Sequence, residues 1–115
     1  RFMMRRPVLN RRLTLQEPVR VPDGGGGFRL TWVTLGAVWA EVRSGSGNEA
    51  AGEFLTVSKV GYRITVRAAQ AGAASRPKPE QRFRDGTRFY RIQAVTEADE
   101  RGRYLTCFAT EEVPS

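Results

Sequence analysis

Apolar and polar positions alternate along much of this chain with the period of two that an extended strand imposes. The alternation is cleanest from Val60 to Ala68, where Tyr62, Ile64 and Val66 share one face and Arg63, Thr65 and Arg67 the other. A longer apolar run, Trp32 to Arg43, holds both tryptophans and almost no charge until its last three residues. Phe28, Leu30 and Trp32 face one way and Val33 and Leu35 the other, and beyond Gly36 both faces are apolar. A strand buried on both faces needs a closed barrel or a neighbouring subunit outside it. Gly36 is the expected bulge or bend. Two tryptophans seven residues apart fall on opposite faces of an ideal strand, and a bulge at Gly36 brings both to one side. Core packing is the expectation for Trp32 and Trp39, over an exposed binding role.

The same reading places the other elements. Leu13, Leu15, Val19 and Val21 alternate with polar residues and predict a first strand, with Pro18 marking an edge or a bulge. Pro22-Asp23 and the four glycines 24–27 predict a hairpin tip; no Lys-Ser/Thr and no helix follows to make them a phosphate cradle. The 44–59 segment is longer than sheet neighbours need, which marks it as a functional loop, with one short helical turn capped by Asn48. Residues 69–79 are a loop of small residues and prolines. Gln81 to Arg84 and Thr87 to Val95 form a hairpin about Asp85-Gly86, and Arg103 to Ala109 returns after a polar turn. The fold class is therefore all-β: a small β-barrel of about six antiparallel strands with long loops and at most one short helix. An extended basic arm (1–10) precedes the single barrel domain (11–110), and a short acidic tail (111–115) follows it.

Composition changes this picture in two ways. A length of 115 residues allows one domain, and 40% hydrophobic against 27% charged residues suits a folded chain. The 19 basic and 12 acidic residues leave a net charge of +7. Six arginines against Glu17 in residues 1–20 make the N-terminal segment the most basic surface. Such an excess attracts polyanions without specifying one. Arg63, Arg67, Arg5 and Arg6 are the candidate DNA-facing side chains.

The chemistry-bearing residues are sparse. With no histidine and one cysteine, neither a Ser-His-Asp nor a Cys-His arrangement is possible, and Cys107 reads as a small buried hydrophobe. Glu41, Glu49 and Glu53 read as solvated charges rather than a carboxylate pair. No catalytic, metal or cofactor residue is assigned, and the chain is not expected to be an enzyme. No apolar run approaches the roughly 18 residues of a membrane span, and no signal-peptide segment opens the sequence. A reducing cytoplasm is the expected compartment, with no membrane partner.

Taken in order, Leu13-Thr-Leu-Gln-Glu17, Pro22-Asp-Gly-Gly25, Trp32, Val38-Trp-Ala-Glu-Val-Arg43, Tyr62-Arg-Ile-Thr-Val-Arg67, Arg88-Phe-Tyr-Arg-Ile92 and Tyr104-Leu-Thr-Cys107 resemble the phage head-tail joining proteins, also called head-closure, stopper or head-tail adaptor proteins. The resemblance runs from about residue 10 to 110, and the Arg-rich wording is most similar to the version in gene transfer agents of α-proteobacteria. It implies a barrel whose copies form a homo-oligomeric ring below the portal and adaptor and above the tail terminator or another tail protein. Such a ring lines or gates the DNA channel, and the chain would assemble in the cytoplasm before joining a phage-like particle. Neighbouring copies would then cover the doubly apolar strand, with Trp32, Trp39 and Val42 as subunit-contact or core residues. Asn48, Glu49, Glu53, Phe54 and Leu55 would line the channel or dock a partner, and DNA would be touched without sequence readout. The four glycines are the one departure from the family pattern.

A second reading is a free-standing nucleic-acid-binding barrel of OB or SH3-like type, with Arg63, Arg67, Arg88 and Arg91 and the rings of Tyr62, Phe89 and Tyr90 as a stacking face. Alternation counts against it, because Tyr62 and Arg63 point to opposite sides of one strand.

Overall fold

The computed structural model describes residues 6–45, 60–69 and 72–112. Six strands follow in order: β1 (Arg11–Pro22), β2 (Phe28–Ser44), β3 (Gly61–Arg67), β4 (Arg82–Asp85), β5 (Arg88–Glu97) and β6 (Tyr104–Glu112). They form a closed antiparallel barrel in the order β1-β2-β3-β6-β5-β4, with β4 returning to β1. Closure removes sheet edges within the barrel itself. Among the described residues there is no helix, and the short turn expected at Asn48 lies outside them.

The barrel is filled by the inward set of every strand. Leu13, Leu15, Ala40, Ile64, Val66, Phe83, Tyr90, Ile92, Leu105 and Cys107 are all at most 1% exposed. Each large apolar side chain so buried contributes roughly 1.5–3 kcal/mol relative to exposure. The end of the long apolar run pairs with β3, from Ala40↔Val66 to Ser44↔Tyr62. Two residues placed in the acidic tail lie within the last strand. Glu111 and Glu112 belong to β6, paired opposite Tyr90 and Phe89, because arginines on β4 and β5 neutralise them in place.

The pairing of β1 with β2 runs from Arg11↔Ala40 out to Pro22↔Phe28, far beyond the barrel wall. The other neighbours stop short: β4 meets β1 only at Thr14, Leu15 and Gln16, and β3 meets β2 only from Ala40 onward. Residues 17–33 therefore form a two-stranded ribbon, about 20 Å long at ~3.3 Å per residue. The ribbon leaves one end of the barrel, while the chain departs at Gly45 and re-enters at Val60 at the other. Its tip is held by Asp23, whose carboxylate accepts from the N–H groups of Gly25 (2.8 Å) and Gly27 (3.1 Å). Those bonds keep the Asp23 carboxyl below its ordinary value.

A bulge sits where ribbon meets barrel. Leu15 pairs with Gly36 but Gln16 with Thr34, so Leu35 is the extra residue. Gly36 takes φ 152°, a conformation that side-chain-bearing residues rarely adopt. The added residue brings Trp32 and Trp39 to the same side, and that side is the outside. The core position expected for them is corrected accordingly: Trp32 is half-buried and Trp39 is 56% exposed. Beyond Gly36 the inner face of β2 is buried at Ala40 while Trp39 on the other face stands open, and before Gly36 Phe28, Leu30 and Val33 are exposed as well.

Candidate functional site

The root of the ribbon is held on its outer face by a stack of alternating rings and cations. Arg82 lies 4.0 Å from the Trp32 ring and 4.0 Å from the Phe89 ring, so its guanidinium is sandwiched between them. Arg91 covers the same Trp32 ring at 5.2 Å. Arg82 and Arg91 are direct cross-strand partners on β4 and β5, an arrangement that repels unless an anion intervenes. Glu112 supplies it, accepting from Arg91 Nη1 at 3.2 Å and lying 4.0 Å from Arg82. Gln16 Oε1 accepts from Arg82 Nε at 2.7 Å, and Glu80 accepts from Arg91 Nη2 at 3.0 Å. Burial pushes the Arg82 guanidinium down from its ordinary value, with Glu112 opposing and Arg91 adding to the fall. A guanidinium nevertheless stays charged at any working pH. On the other face, Gln81 Nε2 donates to Glu17 Oε1 at 3.1 Å.

Beyond this clamp the ribbon has no sheet neighbour. Phe28 is 60% and Leu30 50% exposed on the outer face, while Val33 (46%) and Val19 are exposed on the reverse face. A groove of about 560 Å³ runs along the outer face, lined by Pro18, Arg20, Phe28, Arg29, Leu30, Glu80 and Arg91. Arg20 stacks over Phe28 at 5.2 Å. Open, apolar and basic, this surface suits recognition of another chain rather than enclosure of a small molecule.

The other residues singled out from the sequence are dispersed. Val42 packs half-buried against the core. Arg63 and Arg67 point outward from β3 and stack over Phe108 (5.7 Å) and Tyr104 (5.4 Å) of β6. Arg6 is exposed on the arm, where Val8 N–H donates to Glu41 at 3.0 Å. Arg5, Asn48, Glu49, Glu53, Phe54 and Leu55 lie outside the described residues. The stacking face of the nucleic-acid reading does not exist as one surface. Tyr90 is in the core, and Arg91 is taken up by Glu80 and Glu112.

At the barrel end away from the ribbon, Arg88 holds both carboxylate oxygens of Glu111, at 2.8 and 2.9 Å. Tyr62 donates its hydroxyl to Glu111 at 3.1 Å. The hydrogen bonds from Arg88 hold the Glu111 carboxyl below its ordinary value, with Tyr62 adding to them. Arg11 and Asp85 pair beside this group. Burial pushes the Cys107 thiol up to about 12, so it offers no thiolate. Among the described residues no three His, Cys, Asp or Glu side chains gather to hold a metal ion, and no helix is long and apolar enough to cross a membrane.

Sequence reasoning passed over the clamp and the ribbon's free surface. The clamp draws Gln16, Trp32, Arg82, Arg91 and Glu112 from five strands, so only the pairing register reveals it. The ribbon left one trace, the prolines 18 and 22 two turns of the pleat apart.

With this surface described, comparison with known proteins decides the family. The family model of the phage head completion protein matches residues 4–112. The chain belongs to the phage head completion protein family. Among solved structures, a chain of the virion of a native gene transfer agent particle is 61% identical, with a TM-score of 0.77. The match covers 96% of this chain and 100% of that one. The solution structure of protein SF1141 from Shigella flexneri 2a superposes with a TM-score of 0.65 at 23% identity, covering 93% of this chain and 96% of that one. At that identity the likeness shows the barrel fold alone. No curated protein matches the chain.

Proposed function

We propose that this head completion protein is a structural, non-catalytic subunit of a phage-like gene transfer particle. Copies of it form a ring that joins the portal and adaptor to the tail around the DNA channel. The observation that carries this reading is the 61% identical chain of the gene transfer agent virion, matched over its full length. The shape of the subunit supports it. An exposed apolar ribbon leaves one end of the barrel, Gly45 and Val60 lie together at the other, and Trp39 stands exposed on the wall between. A ring subunit needs such a division of contacts between neighbours beside, above and below it. The chain assembles in the cytoplasm and ends in the particle. DNA passes it without base readout, attracted by outward arginines such as Arg63 and Arg67 and sensitive to salt.

The test is to image particles carrying a tagged copy. Density for a closed ring of this chain at the head-tail junction is the expected result. Particles with the chain absent from that junction, or present there as single copies, overturn the reading.

A further inference from the structure

The two edges of the ribbon are not equivalent. Asp23 N–H donates to Gly27 O at 3.0 Å, which fixes the phase of hydrogen bonding along the ribbon. Pro22↔Phe28 is then a pair without mutual hydrogen bonds, as are Arg20↔Leu30, Pro18↔Trp32 and Gln16↔Thr34. Both prolines confirm the phase, because neither has an N–H to give its partner. Residues of such pairs turn their backbone groups away from the ribbon. On β1 two of the outward positions are proline, so that edge presents few donors and resists pairing. On β2 the outward positions Phe28, Leu30, Trp32 and Thr34 all carry N–H and C=O. Among the described residues no strand pairs with them.

We propose that the Phe28–Thr34 edge of β2 is a strand-addition site, where an extended segment of another polypeptide, apolar at alternate positions and bearing a carboxylate opposite Arg29, extends the ribbon to three strands. The site deepens the connector reading and rests on it for the partner's place in the particle. Main-chain bonds to four outward residues supply affinity, and alternate side chains supply the choice of partner. The incoming residues opposite Phe28, Leu30 and Trp32 lie on the groove face beside those apolar side chains. Those opposite Arg29, Thr31 and Val33 lie on the reverse face, although Arg29 also borders the groove. Charge selects an acidic strand. Arg29 and Arg20 have no carboxylate partner among the described residues, Arg20 resting only on the Phe28 ring.

The test uses the isolated chain and blocked eight-residue peptides alternating Val with Glu or Val with Lys. Binding is followed by tryptophan fluorescence and by amide hydrogen exchange. The Val-Glu peptide is expected to bind at least tenfold more tightly than Val-Lys. It should slow exchange at Phe28, Leu30 and Trp32 tenfold or more while leaving Arg29 and Thr31 unchanged. Leu30→Pro removes one outward N–H that β1 never used, and is expected to abolish this protection. Arg29→Glu, which leaves the backbone intact, is expected to reverse the peptide preference. Equal binding of both peptides, protection that survives Leu30→Pro in a folded variant, or an unchanged preference in Arg29→Glu overturns the proposal. Concentration-dependent protection of the same amides without peptide also overturns it, in favour of a second copy on this edge. Loss of the chain from the head-tail junction would remove the connector reading and leave the peptide result standing, so the two failures are separable.

Discussion

Leu13 and Leu30 have the same side chain and lie on the same pair of strands, yet Leu13 is fully buried and Leu30 is half exposed. The difference is the number of sheet neighbours. Around Leu13 the hairpin is joined to β4 through Thr14–Gln16 and to β3 from Ala40 onward, and side chains from six strands meet inside. At Leu30 the same hairpin stands alone, and a two-stranded ribbon has no interior to offer. One hairpin thus serves two ends: its first half stabilises the fold, and its second half keeps apolar surface in solvent for a partner. The ribbon is held to the barrel by polar and stacking contacts, while the barrel is held to itself by buried hydrocarbon.

The largest expected effect lies in the barrel. Phe83→Ala removes a fully buried ring and should cost about 3–5 kcal/mol, enough to unfold a domain of ordinary stability. Leu30→Ser should change stability by less than about 0.5 kcal/mol, since its site is exposed. Denaturant unfolding of the two variants measures the contrast directly. Comparable losses would mean that the ribbon is part of the cooperative core, and the division between the halves would fail.

A smaller effect is expected at the junction. Trp32→Ala removes the ring that Arg82 and Arg91 cover, and each such cation–ring contact is worth roughly 0.5–2 kcal/mol according to its exposure. The variant should remain folded while the ribbon loses its fixed angle. Amide exchange should accelerate at Val19, Val21 and Thr31 but not at Ile64 or Cys107. Uniform acceleration through both regions would show that the clamp stabilises the barrel as much as the ribbon.

The barrel half was largely legible in the sequence, and the reason is the period of two. Tyr62, Ile64 and Val66 announce an inner face whatever they pair with, and Asp85-Gly86 announces its turn. The bulge at Gly36 was legible too, together with the consequence that both tryptophans share a side. Which side was not legible. Parity along one strand relates residues to each other, and only the pairing of Leu13 with Val38 and Leu15 with Gly36 sets that side against the core. Core packing was the expectation for Trp32 because it carries the same apolar signature as a buried residue, and Phe28, Leu30 and Val33 carry it too although they stand in solvent. Hydrophobicity does not report how many strands lie alongside. Glu111 and Glu112 were read as the start of a short acidic tail for a matching reason: their arginine partners come from other strands, and strand propensity alone disfavours them.

The smallest expected effect separates the two regions by acid. Arg88 holds Glu111 in the folded barrel, with its carboxyl below the ordinary value of 4.5. A carboxyl lowered by folding adds stability above its unfolded value, and that stability is lost as pH falls through the folded one. The loss therefore begins below about pH 4.5. Because this pair lies near the surface, solvent screening keeps its contribution modest. Glu111→Gln should lower the melting temperature slightly at pH 7, and its difference from the native chain should shrink as pH falls below 4.5. The amides of Tyr62 and Tyr90, beside the pair, should exchange faster in the variant at pH 7, while those of Val19 and Thr31 in the ribbon should not change. Melting curves that stay parallel from pH 7 to pH 3 would show that Glu111 titrates alike in both states, and that the barrel end is held by its rings and not by the carboxylate.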